Sequence, residues 1–426
     1  MKFILKLIFG TPLFFSVFMP LKAQDRLPLA PTEYTLQKAL QKAKANNPYL
    51  KTEIFGIGIA RAEVISARLR PNPILNNQTL QLMQPAQFPA KTEWHGAQNR
   101  QVWWQFTKPF QVFGQRKHKV ETAEKNVFFA EKNYAEAERN VFSEVALKWL
   151  EVWTARKQLD VIKIAKSNLD SLLITNQIRF KNQVITQTDL LRTELLSKQY
   201  ALQYKTALQE VRNRQNELKF LLGVTEEVSI DTADNALFYV PANMDSLLNH
   251  SLQGRSDIKA VQALVDVSES NIKLQKSFAF PQPEIGFIWN PQNTIPYFGI
   301  YATVELPLFN RNQGEIKKSY LMKEQAEAQL FALRSRTQTE VSIAFENYQL
   351  QKQNFESFSA LLPQAQTILD NVKYAYIKGG TTIIDFLEAQ RGWLETRQQY
   401  YDAVQTYRQS YIQLLYATGL INQLGL

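Results

Sequence analysis

Between Leu191 and Leu222, apolar residues recur at Leu191, Leu195, Leu202, Val211, Leu218 and Leu222, at spacings built from threes, fours and sevens, while Lys, Arg, Gln and Glu fill the other positions. That period predicts an amphipathic helix that packs on others in the manner of a coiled coil. From about His118 to Ser171 there is neither Gly nor Pro, and Ala, Glu, Lys and Leu dominate. At 1.5 Å per residue this predicts a rod about 80 Å long, too long for one compact globule. Elsewhere the pattern switches to period two. Tyr297, Gly299, Tyr301, Thr303 and Glu305 alternate with Phe298, Ile300, Ala302, Val304 and Leu306, which predicts a strand with two unlike faces. Together with "PEIGFIWN" before the turn-rich "PQNTIP", it makes a hairpin. A second hairpin is read from "ILNNQTLQLM" and "NRQVWWQFTKPF" around a polar loop from Gln84 to Gln98.

The two halves of the chain echo each other, as the architecture of repeat proteins requires of their sequences. Pro71 and Pro73 match Pro281 and Pro283 at an offset of 210, and each Pro-x-Pro stops a preceding helical run. Pro109 matches Pro307 at an offset of 198, so the first hairpin carries 12 more residues than the second, most simply in its loop. Thr186 to Gly223 then matches Thr382 to Gly419 without a gap at an offset of 196, including Asp189/Asp385, Tyr204/Tyr400, Arg212/Arg408 and the terminal glycines. The chain therefore divides into residues 1–24, a first repeat at 25–224 with its hairpin at about 73–112, a linker at 225–242 with strand-like pieces, and a second repeat at 243–426 with its hairpin at about 283–309. Each repeat runs helix, hairpin, long helix, sharp turn, returning helix.

Composition narrows the class. The first 24 residues combine Lys2 and Lys6, an apolar stretch from Leu7 to Met19 and a small residue at Ala23, the pattern of a secretory signal peptide. Cysteine is absent, which removes disulfides and thiolate metal sites. The formal charge of +10 is spread along helices rather than held in a block, so no nucleic-acid footprint is expected. No later stretch reaches the ~18 consecutive apolar residues of a spanning helix; if the mature chain crosses a membrane it does so as strands.

Catalytic chemistry is thin. His95, His118 and His250 are scattered, and there is no His-x-x-x-His, no Gly-x-Ser-x-Gly and no phosphate-cradling glycine run. No cofactor is expected, and five methionines in the whole chain make no soft-metal cluster. The chain reversals between the long helices carry more information. Each needs unusual φ, which Asn182 and the pair Gly379 and Gly380 are placed to supply. Each is followed by Thr-x-x-Asp, Thr186 to Asp189 and Thr382 to Asp385, a capping box with Asp in place of Glu. Capping accounts for both aspartates. Glu388, three residues on and on the same helix face as Asp385, has no such account, and its counterpart in the first repeat is Arg192.

Trp103, Trp104, Phe106, Trp289, Tyr297, Phe298 and Tyr301 make both hairpins aromatic. A soluble hairpin core and a lipid-facing band with aromatic girdles both fit that composition. In lipid an isolated hairpin cannot leave its edges unpaired; four strands per chain must then close through oligomerisation, and three copies would give 12 strands, within the range of outer-membrane barrels.

At this point the chain resembles the TolC-like outer-membrane efflux protein family over essentially its whole mature length. The matching features are "LQKALQKAKANNPYL", its echo "LLNHSLQGRSDI", the helix-ending "ARLRPNP", the turn "YIKGGTTIIDFLEAQ" and the helix end "LLYATG". The resemblance implies a mainly α fold with a transmembrane β-barrel contribution: a homotrimer with a 12-strand barrel in outer-membrane lipid and a periplasmic tunnel of long antiparallel helices. It implies docking through a periplasmic adaptor onto an inner-membrane pump. "ISARLRPNPIL" is most similar to the branch serving heavy-metal exporters of the resistance-nodulation-division type. In a trimer, Asp385 and Glu388 would form six carboxylates round the periplasmic mouth, where the family's matching acidic pair guards the entrance. The resemblance also implies gate links through Tyr376 and Asp189, while Thr381 stands where the best-known member carries a gating arginine. Three other readings stay open: a multidrug duct of the same family, a soluble periplasmic coiled-coil adaptor, and a glycosidase using Asp385 and Glu388, although carboxylates at i, i+3 on one helix do not flank a bond.

Overall fold

The computed structural model describes residues 32–233, 243–291 and 296–425. The expected signal segment 1–24, residues 234–242 of the linker and residues 292–295 of the second hairpin turn lie outside the described residues. In chain order the elements are β1 (Thr32–Tyr34), α1 (Leu36–Asn46), α2 (Pro48–Arg68), β2 (Ile74–Gln81), β3 (Arg100–Pro109), α3 (Gln115–Lys181), α4 (Gln187–Leu222), β4 (Val228–Ile230), α5 (Met244–Gly254), α6 (Ser256–Ser277), β5 (Glu284–Asn290), β6 (Tyr297–Thr303), α7 (Gln313–Lys378) and α8 (Ile383–Thr418). With 67 and 66 residues, α3 and α7 are longer than the Gly- and Pro-free run alone suggests, and each extends about 100 Å.

These two helices organise everything else. Toward the sheet, α3 packs against α2 and α6, and α6 against α7; toward the other end, α3 packs against α4 and α8, and α8 against α7. The lower layer is thus a row in the order α4, α3, α8, α7. Short helices meet end to end beside the long ones. Asn47 caps α2, accepting from the Tyr49 and Leu50 amides, and its Nδ2 donates to the Leu221 carbonyl at the end of α4, 2.7 Å away. Gly223 ends α4 at φ +61, and a Cβ there would lie 2.2 Å from the Asn46 carbonyl oxygen, so the joint tolerates no side chain. The second repeat builds the same joint from α8 into α6 with different chemistry: Arg255 donates to the Ala417 carbonyl (3.0 Å) next to Gly419.

Arg255 is 3 % exposed and Arg139 2 %. Arg255 pairs with Asp257 (2.6 Å) and Glu340 (2.8 Å), while Arg139 pairs with Glu136 (2.8 Å) and Asp257 (3.3 Å) and donates to the Tyr416 carbonyl (2.8 Å). Below and around this ionic knot lies the main apolar core, including Val145, Trp149, Leu218, Leu222, Leu414, Leu415 and Ile421. Trp149 and Trp153 donate their indole N–H groups to the carbonyls of Tyr34 and Thr232, fastening the parallel pair β1–β4 to α3. The strand-like linker piece is β4; its partner β1 carries no local signal, being three residues that pair 196 positions away.

The remaining strands form one antiparallel sheet in the order β2-β3-β5-β6. Its register aligns Leu75, Phe106, Phe287 and Ile300 across one face, with Trp104, Trp289 and Phe298 in the next row. The opposite face carries Asn76, Gln105, Ile288 and Gly299, and Gln78, Trp103, Asn290 and Tyr297. One face is therefore apolar and aromatic and the other mostly polar, the alternation of a membrane-barrel wall. Most of the apolar row is exposed in the single chain, which disfavours the soluble-core reading. Among the described residues, β2 and β6 are unpaired on their outer sides. The gap between strands is 18 residues in the first hairpin, 82–99, against 6 in the second, 291–296, the 12-residue difference expected from the offsets.

Two expectations are corrected. The alternation read through Leu306 yields a strand that stops at Thr303, because Thr303 pairs with Glu284, the first residue of β5, and the next position would face Pro283, which has no N–H to continue a ladder. The leucine stripe of α4 is also divided: Val211, Leu218 and Leu222 are buried, whereas Leu191, Leu195 and Leu202 are exposed. On α7, Ile343, Leu350, Leu361 and Ile368, spaced by 7, 11 and 7, form a second exposed stripe on one helix face.

Candidate functional site

The site is the end of the helical layer farthest from the sheet, where α3 turns into α4 and α7 into α8. Sequence alone assigned unusual φ to Asn182 and to both Gly379 and Gly380. In the first turn Asn182 has φ −88 and the left-handed residue is the next one, Gln183, at φ +56. In the second, Gly379 carries φ +81 and Gly380 lies outside the left-handed region. The position was off by one in the first turn and fell on Gly379, the first of the two glycines, in the second, where the Gly379 amide donates back to the last carbonyls of α7.

Both returning helices start with complete capping boxes. Thr186 Oγ1 accepts from the Asp189 amide (3.2 Å), and Asp189 Oδ2 accepts from the Thr186 amide (3.3 Å). In the second repeat Thr382 Oγ1 accepts from the Asp385 amide (3.2 Å), and Asp385 Oδ2 accepts from the Thr381 hydroxyl (2.6 Å), the Thr382 hydroxyl (2.7 Å) and the Thr382 amide (3.0 Å). The Thr381 hydroxyl, then those of Thr382, hold the Asp385 carboxyl below its ordinary pKa, so it is an anion at any physiological pH. Thr382→Ala is expected to destabilise the start of α8 by about 0.5–2 kcal/mol. Amide hydrogen exchange localised to residues 383–388 checks this, and unchanged protection there would refute the cap.

Glu388 is exposed and pairs with Arg391, one turn on, at 3.0 Å. An exposed i, i+3 pair contributes roughly 0–1 kcal/mol, so stability does not explain the glutamate. Asp385 and Glu388 face a cleft of about 430 Å³ that is walled by Ala365, Ile368 and Val372 of α7 and by Gly392 and Trp393 of α8.

Tyr376 is buried at the tip, 4 % exposed, with a ring contact, a cation and a hydrogen-bond partner. Its hydroxyl donates to Asn176 Oδ1 (2.8 Å), Asn176 Nδ2 donates to Thr193 Oγ1 (2.9 Å), and Thr193 donates to the Asp189 carbonyl (3.0 Å). The relay joins α7 to α3 and α4. Tyr376 thus reaches Asp189 through two intermediaries and at its backbone, while the Asp189 carboxylate stays in its capping box. Phe386 stacks on Tyr376 with ring centroids 5.5 Å apart, and the Arg179 guanidinium lies 4.9 Å over the same ring and donates to the Ile377 carbonyl (2.9 Å). Asn176 and Arg179 were missed in the sequence. Aligning the ends of α3 and α7 at Lys181 and Lys378 would have placed Arg179 opposite Tyr376, the signal that was available.

The histidines do not converge: His95 pairs with Glu93, His118 with Glu121, and His250 lies on α5. Among the described residues there is no group of three or more His, Cys, Asp or Glu side chains able to hold a metal. No helix among them is long and apolar enough to cross a membrane.

The profile of the family described as outer membrane efflux protein matches residues 39–224 and 247–420. The cobalt-zinc-cadmium resistance protein CzcC of Cupriavidus metallidurans is 19 % identical over 381 residues, 88 % of this chain and 87 % of that one. The fold is similar to that of the Campylobacter jejuni CmeC outer membrane channel (TM-score 0.75, 17 % identity, 90 % and 85 % of the two chains). It is equally similar to CusC, solved in a study of folding and transmembrane channel formation (TM-score 0.74, 17 % identity, 93 % and 95 %).

Proposed function

Because the chain belongs to the outer membrane efflux protein family, we propose that three copies of it form the exit duct of a tripartite export system that passes heavy-metal cations out of the cell. It is an outer-membrane efflux channel whose helical part lies in the periplasm, a conduit rather than an enzyme. The observation that carries the duct is the four-stranded sheet with one apolar face, one polar face and two outer edges unpaired among the described residues, set at one end of helices 67 and 66 residues long. Lipid leaves no sheet edge unpaired, so this sheet closes only with others like it, and three copies of four strands close a barrel of ordinary size. The exposed stripes on α4 and α7, the outermost helices of the lower row, supply the matching contacts between copies.

The family's partners complete the path: an inner-membrane pump of the resistance-nodulation-division type drives the substrate, and a periplasmic adaptor joins pump to duct. The cation preference rests on the tip. Each chain presents Asp385 and Glu388 against Arg391, a net charge of −1, repeated round the axis. Fixed charge lining a narrow mouth concentrates counter-ions by roughly tenfold or more without a coordinating site. CzcC, named for cobalt, zinc and cadmium resistance, supports metal over drug as cargo.

The test is a planar-bilayer recording in a salt gradient. Asp385→Asn/Glu388→Gln is expected to move the reversal potential toward zero selectivity and to abolish block by trivalent cations. Unaltered selectivity and block would defeat the tip's role. A deletion strain hypersensitive to cobalt or zinc supports metal cargo; one hypersensitive only to dyes and detergents would assign the duct to multidrug export.

A further inference from the structure

We propose that the cavity between α3, α4 and β4, at the equator of the helical layer, binds a multiply charged anion: a phosphate- or carboxylate-bearing ligand of the periplasm. The cavity has a volume of about 460 Å³, and its wall includes Arg156, Arg212 and Lys219, with Glu227 as the one acidic side chain. The formal balance of these four groups is three positive against one negative. None of the three cations is ion-paired within the described residues, although their neighbours are. Arg214 pairs with Glu151 (2.6 Å) and Glu210 (2.7 Å), and Lys148 pairs with Glu151 and Glu217 at 3.0 Å each. The carboxylates of Glu151, Glu210 and Glu217 are therefore already engaged, and the cavity keeps a positive excess over Glu227.

Arg156 is the most specific of the three. Its Nη2 donates to Ser229 Oγ (3.1 Å), which fixes the guanidinium against β4, while its Nε is buried without a partner. A guanidinium N–H left without an acceptor away from water is costly, more so than a neutral donor because the group is charged. An oxyanion removes that cost and accepts in the planar fork geometry that arginine offers. Lys219, in the last turn of α4, has a competing role with the helix-end carbonyls; Arg156 and Arg212 have none. The wall is built rather than draped: Gln215 donates to the Val228 carbonyl (2.7 Å), and Trp153 holds the same stretch through Thr232.

Arg156 lies about 60 Å along α3 from its sheet end, hence in the periplasm. Two ligand sources with this chemistry occur there: the free carboxylates of cell-wall stem peptides, and soluble or lipid-borne phosphate. The site is independent of what the duct conducts.

The test uses the full chain, purified in detergent as it assembles. Isothermal titration at low salt with tripolyphosphate, and separately with a glutamyl-diaminopimelate peptide, is expected to show saturable binding. Arg156→Gln/Arg212→Gln should weaken it by about tenfold or more, and Lys51→Gln, on exposed α2, should leave it unchanged. Sedimentation with protein-free sacculi, lost in the double variant and competed by the peptide, identifies the cell wall as source; binding of tripolyphosphate without sacculus binding identifies phosphate. Two outcomes overturn the proposal. One is the absence of saturable binding, or equal binding by wild type and double variant. The other is a wild type that binds neither probe while the double variant loses its oligomer, which would show that a carboxylate of a neighbouring copy fills the cavity.

Discussion

Arg255→Ala is expected to lower the stability of the folded chain by about 3–5 kcal/mol, the range seen when one partner of a buried ion pair is removed. The side chain makes two ion pairs and a bond to the Ala417 carbonyl, and it lies against Gly419, where α8 ends. Asp257 keeps Arg139 at 3.3 Å and Glu340 keeps Arg336 at 2.7 Å, so neither carboxylate is wholly abandoned. The Ala417 carbonyl loses its side-chain donor. Denaturant unfolding followed by tryptophan fluorescence measures the loss, and a change below about 1 kcal/mol would mean that the knot contributes packing alone. Arg255→Lys should fall between the two, since an ammonium cannot reproduce the fork. The pH dependence gives a second readout. Burial by itself would raise the Asp257 pKa, but the Arg255 hydrogen bond and the charges of Arg139 and Arg255 outweigh it and hold the pKa below its usual 3.8. A depressed carboxylate stabilises the fold above its unfolded-state value, and that contribution is lost as pH falls through the lower folded-state value. Without Arg255 the folded value rises, and the acid loss begins at higher pH.

Leu350→Asp/Leu361→Asp is expected to abolish assembly while leaving the protomer folded. Both positions are exposed in the single chain, so the substitutions remove nothing from its core. If the stripes of α4 and α7 meet in the trimer, each leucine buries apolar area worth about 1.5–3 kcal/mol there, and an unpaired aspartate adds a desolvation cost of several kcal/mol per contact. Three contacts close or fail together. Light scattering in detergent should report monomers with unchanged far-ultraviolet circular dichroism. Retention of the trimer would remove the stripe on α7 from the interface.

The sequence carried most of the architecture because its signals are local and appear twice. Thr-x-x-Asp before an apolar run specifies a cap from four adjacent residues, and both boxes form. Alternation in the hairpins specifies two faces before any partner strand is known. What escaped depends on distance or on a second chain. β1 is three residues, and its existence is settled by β4 on the far side of the repeat. Asn176 reads as an ordinary polar residue of a helix until Tyr376, 200 positions later, reaches it. The heptad-like stripe of α4 announced packing, but periodicity cannot say whose helix provides it: from Val211 on, the chain buries Val211, Leu218 and Leu222 itself, while Leu191, Leu195 and Leu202 stay exposed in the single chain. The reversal at Asn182 and Gln183 shows the finest grain missed, since either residue tolerates left-handed backbone better than a β-branched one.

The end-to-end joints have a mechanical meaning. α3 and α7 run unbroken past the level where α4 abuts α2 and α8 abuts α6. An unbroken helix transmits torque and bending along its length, whereas a butt joint resists compression and yields to shear. A twist delivered at the tip thus travels toward the sheet through two struts per chain, α3 and an α7 whose ladder lacks one donor at Pro363. The joint at Asn47 is neutral, closed by its side-chain amide and the edge-to-face contact of Tyr49 with Phe220, whereas the one at Arg255 is closed by charge.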